Sequence, residues 1–324
     1  MTYSILQWML FFYIYCFVGW VWETIYVSVR LGHWVNRGFM HGPFLPIYGA
    51  GFTGMVMLTN AIRGMYVVEF IVGMIGATIM EYYTGMIMEK LFKIRYWDYS
   101  NCKFNVKGYI CLKASVCWGF FAILGPEVIH PFFENLVLRI SQTPLEIIVL
   151  ILTAYVAADF SESFKEALDF KEVLANITAS NEEIAKIEKG VQAISEFVNG
   201  DLKEKSEAGL KKINTTITDG MHMYERTTEQ LSELKNKLSD TLEKVKQLPG
   251  EIRLPDSETF ANLKEQVEEY RHKISSEEKA RAFLKERRSV KKSYRIIKRN
   301  PEVFSKEYQG ALEELKKEIS NRFK

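Results

Sequence analysis

The sequence predicts an all-α protein, a polytopic helical membrane bundle of about five spans followed by a cytoplasmic tail of coiled-coil and helical-hairpin type. Three observations predict it. Charge is partitioned: residues 1–160 carry 10 basic and 9 acidic residues, and residues 161–324 carry 32 and 31. All six tryptophans fall in the first half. That half also repeats apolar stretches near the ~20 residues that cross a hydrocarbon core of about 30 Å, whereas the second half steps in heptads. The net charge of +2 therefore averages two unlike halves.

The first span runs from about Ile5 to Val29, with Glu23 in its later part. No basic region precedes it and it is long for a signal sequence, so it reads as a span. The second, Gly42 to Ile62, is uncharged, and Pro43 and Pro46 break its first turn. The third, about Tyr66 to Met88, carries Glu69 near one end and Glu81 near the middle. A fourth extends from Gly108 to Gly125, with Lys113 placed to snorkel. The last, Pro144 to Phe160, is short. Between these two, EVIHPFFENLVLRI is interrupted by Pro131 and reads as an interfacial or re-entrant piece. Small residues at Gly49, Gly51, Gly54, Gly73, Gly76, Ala77 and Gly85 permit close helix approach, within one subunit in preference to a dimer face.

Basic residues in short loops set the orientation. Arg30, Arg37, Lys90, Lys93, Arg95, Lys103 and Lys107 lie on one side, against Arg63 and Arg139 on the other. The positive-inside rule makes this a multi-pass protein of the cell membrane with its N-terminus outside and its tail cytoplasmic.

Carboxylates at membrane depth are costly and usually face the bundle interior. Glu81 has 11 uncharged residues before it and seven after. Glu23 and Glu89 lie nearer the cytoplasmic boundary. Together they are candidates for a proton or cation site, or for a polar lining to a substrate path. The alternative is a structural hydrogen-bond network with Tyr, Trp or Arg partners.

Two cytoplasmic loops are unusual. The first, Asn36 to Gly51, reads NRGFMHGPFLPIYGAG and contributes Asn36, Arg37, Gly38, Gly42, Pro43, Pro46, Tyr48 and Gly49 as candidates. Gly and Pro at this density imply fixed turns, and irregular backbone at membrane depth must be protein-buried or line a cavity. The loop should therefore fold into the bundle. The second contributes Trp97, Asp98, Tyr99 and Ser100. Arg37 and Asp98 are the opposite charges expected to pair across the two. His33 and His41 read as loop hydrogen-bonders.

These residues resemble a family. Gly19-Trp20 with Glu23, the NRGF…GP…PIYG…G loop, Glu81 with Gly85 and Glu89, Trp97-Asp98-Tyr99-Ser100, Asn105, Gly108 and Trp118-Gly119 look like the bacterial ABC-transporter type IV permeases. The resemblance covers about residues 10–160; Met40 replaces an expected Leu, and the tail lies outside it. It implies a bacterial inner-membrane permease subunit whose partner is a separate ATPase, and it supplies no catalytic residues. Consistently, the chain has no P-loop, no H-E-x-x-H, no G-x-S-x-G and no Cys/His cluster. No enzyme activity, metal or cofactor is predicted.

The tail begins with heptad steps at Val173, Ile177, Ser180, Ile184, Ile187, Val191, Ile194 and Val198, and resumes from Leu210 to Leu248. A 3.5-residue period is that of a left-handed coiled coil, so 173–248 should pair with a second copy or another helix. The predicted divisions are a membrane domain over 1–160, a coiled-coil helix over 161–250, a return helix over 251–300, and a final solvent-exposed helix over 301–324. Lys279 to Arg299 holds ten basic residues against Glu286. Arg287, Arg288, Lys291, Lys292, Arg295, Lys298 and Arg299 are accordingly predicted to contact anionic lipid. Nucleic acid is not predicted, since no reading motif accompanies the charge. Two functions fit: a permease subunit, or a membrane scaffold or sensor acting through its coiled coil.

Overall fold

The computed structural model describes residues 3–199 and 288–322, with isolated positions between 236 and 275. Helix α1 (Ile5–Leu31) opens on a reciprocal cap in which Ser4 Oγ accepts from the Gln7 amide and Gln7 accepts from Ser4. It ends at Gly32, whose positive φ suits glycine. Helix α2 (Pro46–Thr59) starts on Pro46, whose fixed φ fits a first helical position. Helix α3 (Tyr66–Phe92) is followed by a hairpin, β1 (Asn105–Val106) against β2 (Ile110–Cys111), paired antiparallel. Then come α4 (Leu112–Leu124), a π turn (Gly125–Ile129), α5 (His130–Val137), α6 (Gln142–Asn199), α7 (Arg288–Arg299) and α8 (Gln309–Arg322).

Among the described residues, four helical runs are long and apolar enough to cross a membrane: Ile5–Leu31, Tyr66–Phe92, Leu112–Val137 and Gln142–Ile187. The third corrects the sequence reading. The span expected to stop at Gly125 continues through Pro126 and Pro131 to Val137. The π turn permits this: His130 N–H bonds the Gly125 carbonyl five residues back, so the backbone passes the prolines without the four-residue ladder they cannot join. The short apolar stretch expected over Pro144 to Phe160 lies within α6, whose helix continues beyond it to Asn199.

Contacts fix the direction of each pass. At one end Tyr3 bonds His130 and Glu134, and Arg63 pairs with Glu127. At the other, Arg30 pairs with Glu302, Lys93 with Glu307, and His41 with Asp159. The chain thus travels between the two ends five times. The second pass is made by only 14 helical residues of α2. The loop before it supplies the remaining length, since Met40, Phe44 and Leu45 are buried in the bundle core.

The chain divides into two compact units, Met1–Lys171 with Lys291–Gln309, and Glu172–Val290 with Gly310–Lys324. Residues 291–309 therefore belong with the membrane bundle, where the sequence reading had placed them in the tail. In the second unit, α6 buries Val173, Leu174, Ile184 and Ile187, and α8 buries Ala311, Leu312, Leu315 and Ile319. Asn181 Nδ2 donates to Glu314 Oε2 at 2.9 Å. The final helix is thus half-buried, which corrects the expectation of full exposure: its i, i+1, i+4, i+8 apolar stripe needs a partner. The heptads from Leu210 to Leu248 lie outside the described residues, and of the return helix expected over 251–300 only 265, 269, 272–275 and 288–300 are described.

Candidate functional site

The carboxylate of Glu81 is the centre of the site. It comes from the middle of α3 and is 5% exposed. Tyr99 Oη donates to Oε1 and Trp118 Nε1 to Oε2, both at 3.1 Å. The Trp118 ring lies 5.4 Å from that of Tyr48. Tyr48 Oη in turn donates to Glu23 Oε1 at 2.7 Å, and Arg37 Nε sits 4.0 Å from Glu23 Oε2. Residues from α1, α2, α3, α4 and both loops thus form one polar line through the bundle. Gly19 makes room for it, because a Cβ there would collide with the Tyr48 ring.

Arg37 closes the line at the loop end. Its Nη1 donates to Asn300 Oδ1 (2.7 Å) and its Nη2 to the Tyr96 carbonyl (2.6 Å). Burial draws its guanidinium below the ordinary arginine value, and Glu23 opposes that. The expected Arg37–Asp98 pair does not form. Asp98 instead accepts from Arg95 Nη1 (3.1 Å) and Ser100 Oγ (2.6 Å), because Arg95 is three residues away and needs no loop crossing. Arg95 also binds Glu89 through Nε at 2.8 Å and stacks on Tyr109. Glu89 is therefore held in this second cluster, apart from Glu23 and Glu81. Trp97 Nε1 bonds the Tyr109 carbonyl (2.9 Å) over Gly85.

The first loop folds into the bundle as its composition implied. Asn36 accepts from Trp20 Nε1 (2.7 Å) and donates to the His41 carbonyl (2.9 Å). Pro43 sits in a three-residue turn closed by Phe44 N–H on the Gly42 carbonyl. Gly49 packs against Cys16 and the Phe12 carbonyl of α1, where no side chain fits.

Sequence reasoning missed a third cluster at the same end. Asp159 accepts from the His41 and Gly42 amides (3.0 and 2.8 Å), and Ser163 Oγ lies 2.9 Å from His41 Nδ1. Glu166, 1% exposed, meets Arg299 Nη2 at 3.3 Å and Arg295 Nη1 at 3.4 Å. His41 Nε2 is 2.8 Å from Glu166 Oε2, an ion-pair distance without hydrogen-bond alignment. The available signal was the spacing of Asp159, Ser163 and Glu166, which puts all three on one face of a helix. His41, Glu162 and Glu166 converge as a metal site would, but two guanidiniums already supply the positive charge there.

Residues 291–309 form a strap across this end. Asn300 Nδ2 donates to the Gly38 carbonyl (3.0 Å), Arg95 and Phe304 exchange backbone hydrogen bonds, and Ser305 Oγ bonds the Lys93 carbonyl (2.6 Å). Of the residues predicted to touch lipid, Lys292 pairs with Asp169 (2.8 Å), Arg295 with Glu166, and Arg299 is turned into the protein. Burial lowers the Arg299 pKa, and Glu166 and Tyr96 oppose that. Lys298 is exposed over the Tyr294 ring. Arg287 lies outside the described residues, as do the side chains of Arg288 and Lys291.

Long apolar helices enclosing a buried carboxylate and a folded-in loop define a polytopic helical membrane protein. Residues 10–164 match the model of a family described as Putative ABC-transporter type IV, and every motif of the resemblance above lies within that region. Both observations fit a component of a membrane transporter. No curated protein and no solved structure matches the chain.

Proposed function

We propose that the chain is the permease subunit of a transporter whose ATPase is a separate protein, and that it carries out no catalytic chemistry itself. The observation that carries this reading is the polar line Arg37–Glu23–Tyr48–Trp118–Glu81–Tyr99, with an ionisable group at mid-span where a purely structural bundle would place an apolar one. The five passes are taken as five membrane crossings, with the N-terminus outside and the strap end in the cytoplasm. The loops around Gly38 to Gly51 and Trp97 to Ser100 then face the compartment where an ATPase would dock.

Purification from native membranes tests the proposal. A P-loop ATPase should accompany the chain in near-equal amount, and the pair should drive ATP-dependent solute movement in liposomes. Recovery of the chain without an ATPase, and without transport, would overturn it.

One observation favours a scaffold or sensor instead: α6 is unbroken from Gln142 to Asn199, so the last apolar run and the first heptads share one helix. Ala175→Gly with Asn176→Pro breaks that continuity. A permease should keep solute binding, whereas a sensor should lose its output.

A further inference from the structure

A cleft of about 440 Å³ opens at the strap end of α3, and its lining includes no residue of α7 or of the line from Arg37 to Tyr99. Met86 lines it together with Lys90, Lys93 and Lys306. Glu89 contributes no free charge, since Arg95 holds it. Lys93 is paired at 2.7 Å with Glu307, but both side chains are well exposed, and such pairs contribute little. Lys90 and Lys306 are exposed and, among the described residues, have no ion-pair partner. The cleft therefore presents three ammonium groups against one weakly held carboxylate.

We propose that this cleft binds the headgroup of an anionic phospholipid. The argument is one of depth. Tyr83, Ile87 and Leu91 expose apolar surface on the same helix, so the acyl region ends near Leu91. Lys90 and Lys93 flank Leu91, about 6 and 10 Å along the axis beyond Met86 at 1.5 Å per residue, so their ammonium groups stand where the exposed apolar surface of α3 ends. Tyr109 stands beside them, a residue type enriched at that level. A soluble anion would use the lysines but not Met86; a phospholipid uses both. Because Lys306 and Glu307 belong to the strap, the phosphate displaces Glu307 from Lys93 and ties the strap to α3. The inference rests on α3 being a membrane span and does not require transport.

The test uses the full chain, delipidated in detergent and read by native mass spectrometry with added phosphatidylglycerol or phosphatidylcholine. Phosphatidylglycerol should be retained selectively. Lys90→Gln/Lys93→Gln/Lys306→Gln should weaken it about a hundredfold, since each basic residue near anionic lipid contributes roughly a factor of five. Lys306→Gln alone, on the exposed strap, should weaken it about fivefold and covers the case in which the triple variant does not fold. Lys103→Gln/Lys107→Gln/Lys113→Gln should leave it unchanged. Equal retention of phosphatidylcholine, equal loss in the second triple variant, or displacement by glycerol 3-phosphate as effective as by lipid would each overturn the proposal.

Discussion

Replacing Glu81 by leucine would strand two donors at once. Tyr99 Oη and Trp118 Nε1 both end on that carboxylate, and each buried donor left unmet costs about 1–3 kcal/mol. Glu81→Leu should therefore unfold several degrees lower in detergent. Glu81→Gln keeps an acceptor and should retain most of the stability while losing any traffic that needs a charge. Unchanged melting of Glu81→Leu would mean that the line is not a network. Glu81 was legible in the sequence because a lone carboxylate in an apolar run admits few explanations. Its partners were not, since Tyr99 and Trp118 are brought to it by a hairpin and a second helix. Arg37 with Asp98 erred for a related reason: opposite charge nominates many pairs, and the nearer Arg95 wins on geometry.

At the scale of elements, Glu166 and Arg299 decide how the strap is held. Glu166→Gln leaves Arg299 buried with less compensation, which costs about 3–5 kcal/mol when a buried pair loses one partner. Glu166→Leu with Arg299→Met should recover most of that, because an apolar pair removes both desolvation costs. Amide exchange of Phe304, whose N–H bonds the Arg95 carbonyl at 3.1 Å, reports strap detachment in each variant. The same probe reads Asn300→Ala, which frees both Arg37 Nη1 and the Gly38 carbonyl. Its exchange should quicken by about five- to a hundredfold if the strap opens as a unit. A pH series adds a sign. Lys93 holds Glu307 below the ordinary glutamate value, so this exposed pair adds a small contribution to docking above that value. The contribution should be lost as pH falls through the lowered one, and should be flat between pH 6 and 8. The strap escaped sequence reading because its basic run has the same pattern whether it meets lipid or the acidic face of α6. The continuation of α4 into α5 escaped because a π turn has no signature in composition.

For the whole molecule, the number of passes and the orientation are one question. The four long runs alone would leave Ser4 and the start of α7 on the same side of a membrane; adding α2 puts them on opposite sides. Helix α2 measures only about 21 Å at 1.5 Å per residue, short of the ~30 Å core. It can cross because buried Met40, Phe44 and Leu45 carry the chain part of the way without exposing backbone to lipid. Single cysteines on a background in which Cys16, Cys102, Cys111 and Cys117 are serine or alanine should settle the parity. Cysteines at Ser4 and at Arg63 should label from outside intact cells with an impermeant maleimide. Cysteines at His33, Lys103 and Lys298 should label only after the membrane is opened. Labelling of Ser4→Cys and Lys298→Cys from the same side would mean four crossings, and would leave the folded-in loop dipping into the bundle without carrying the chain across.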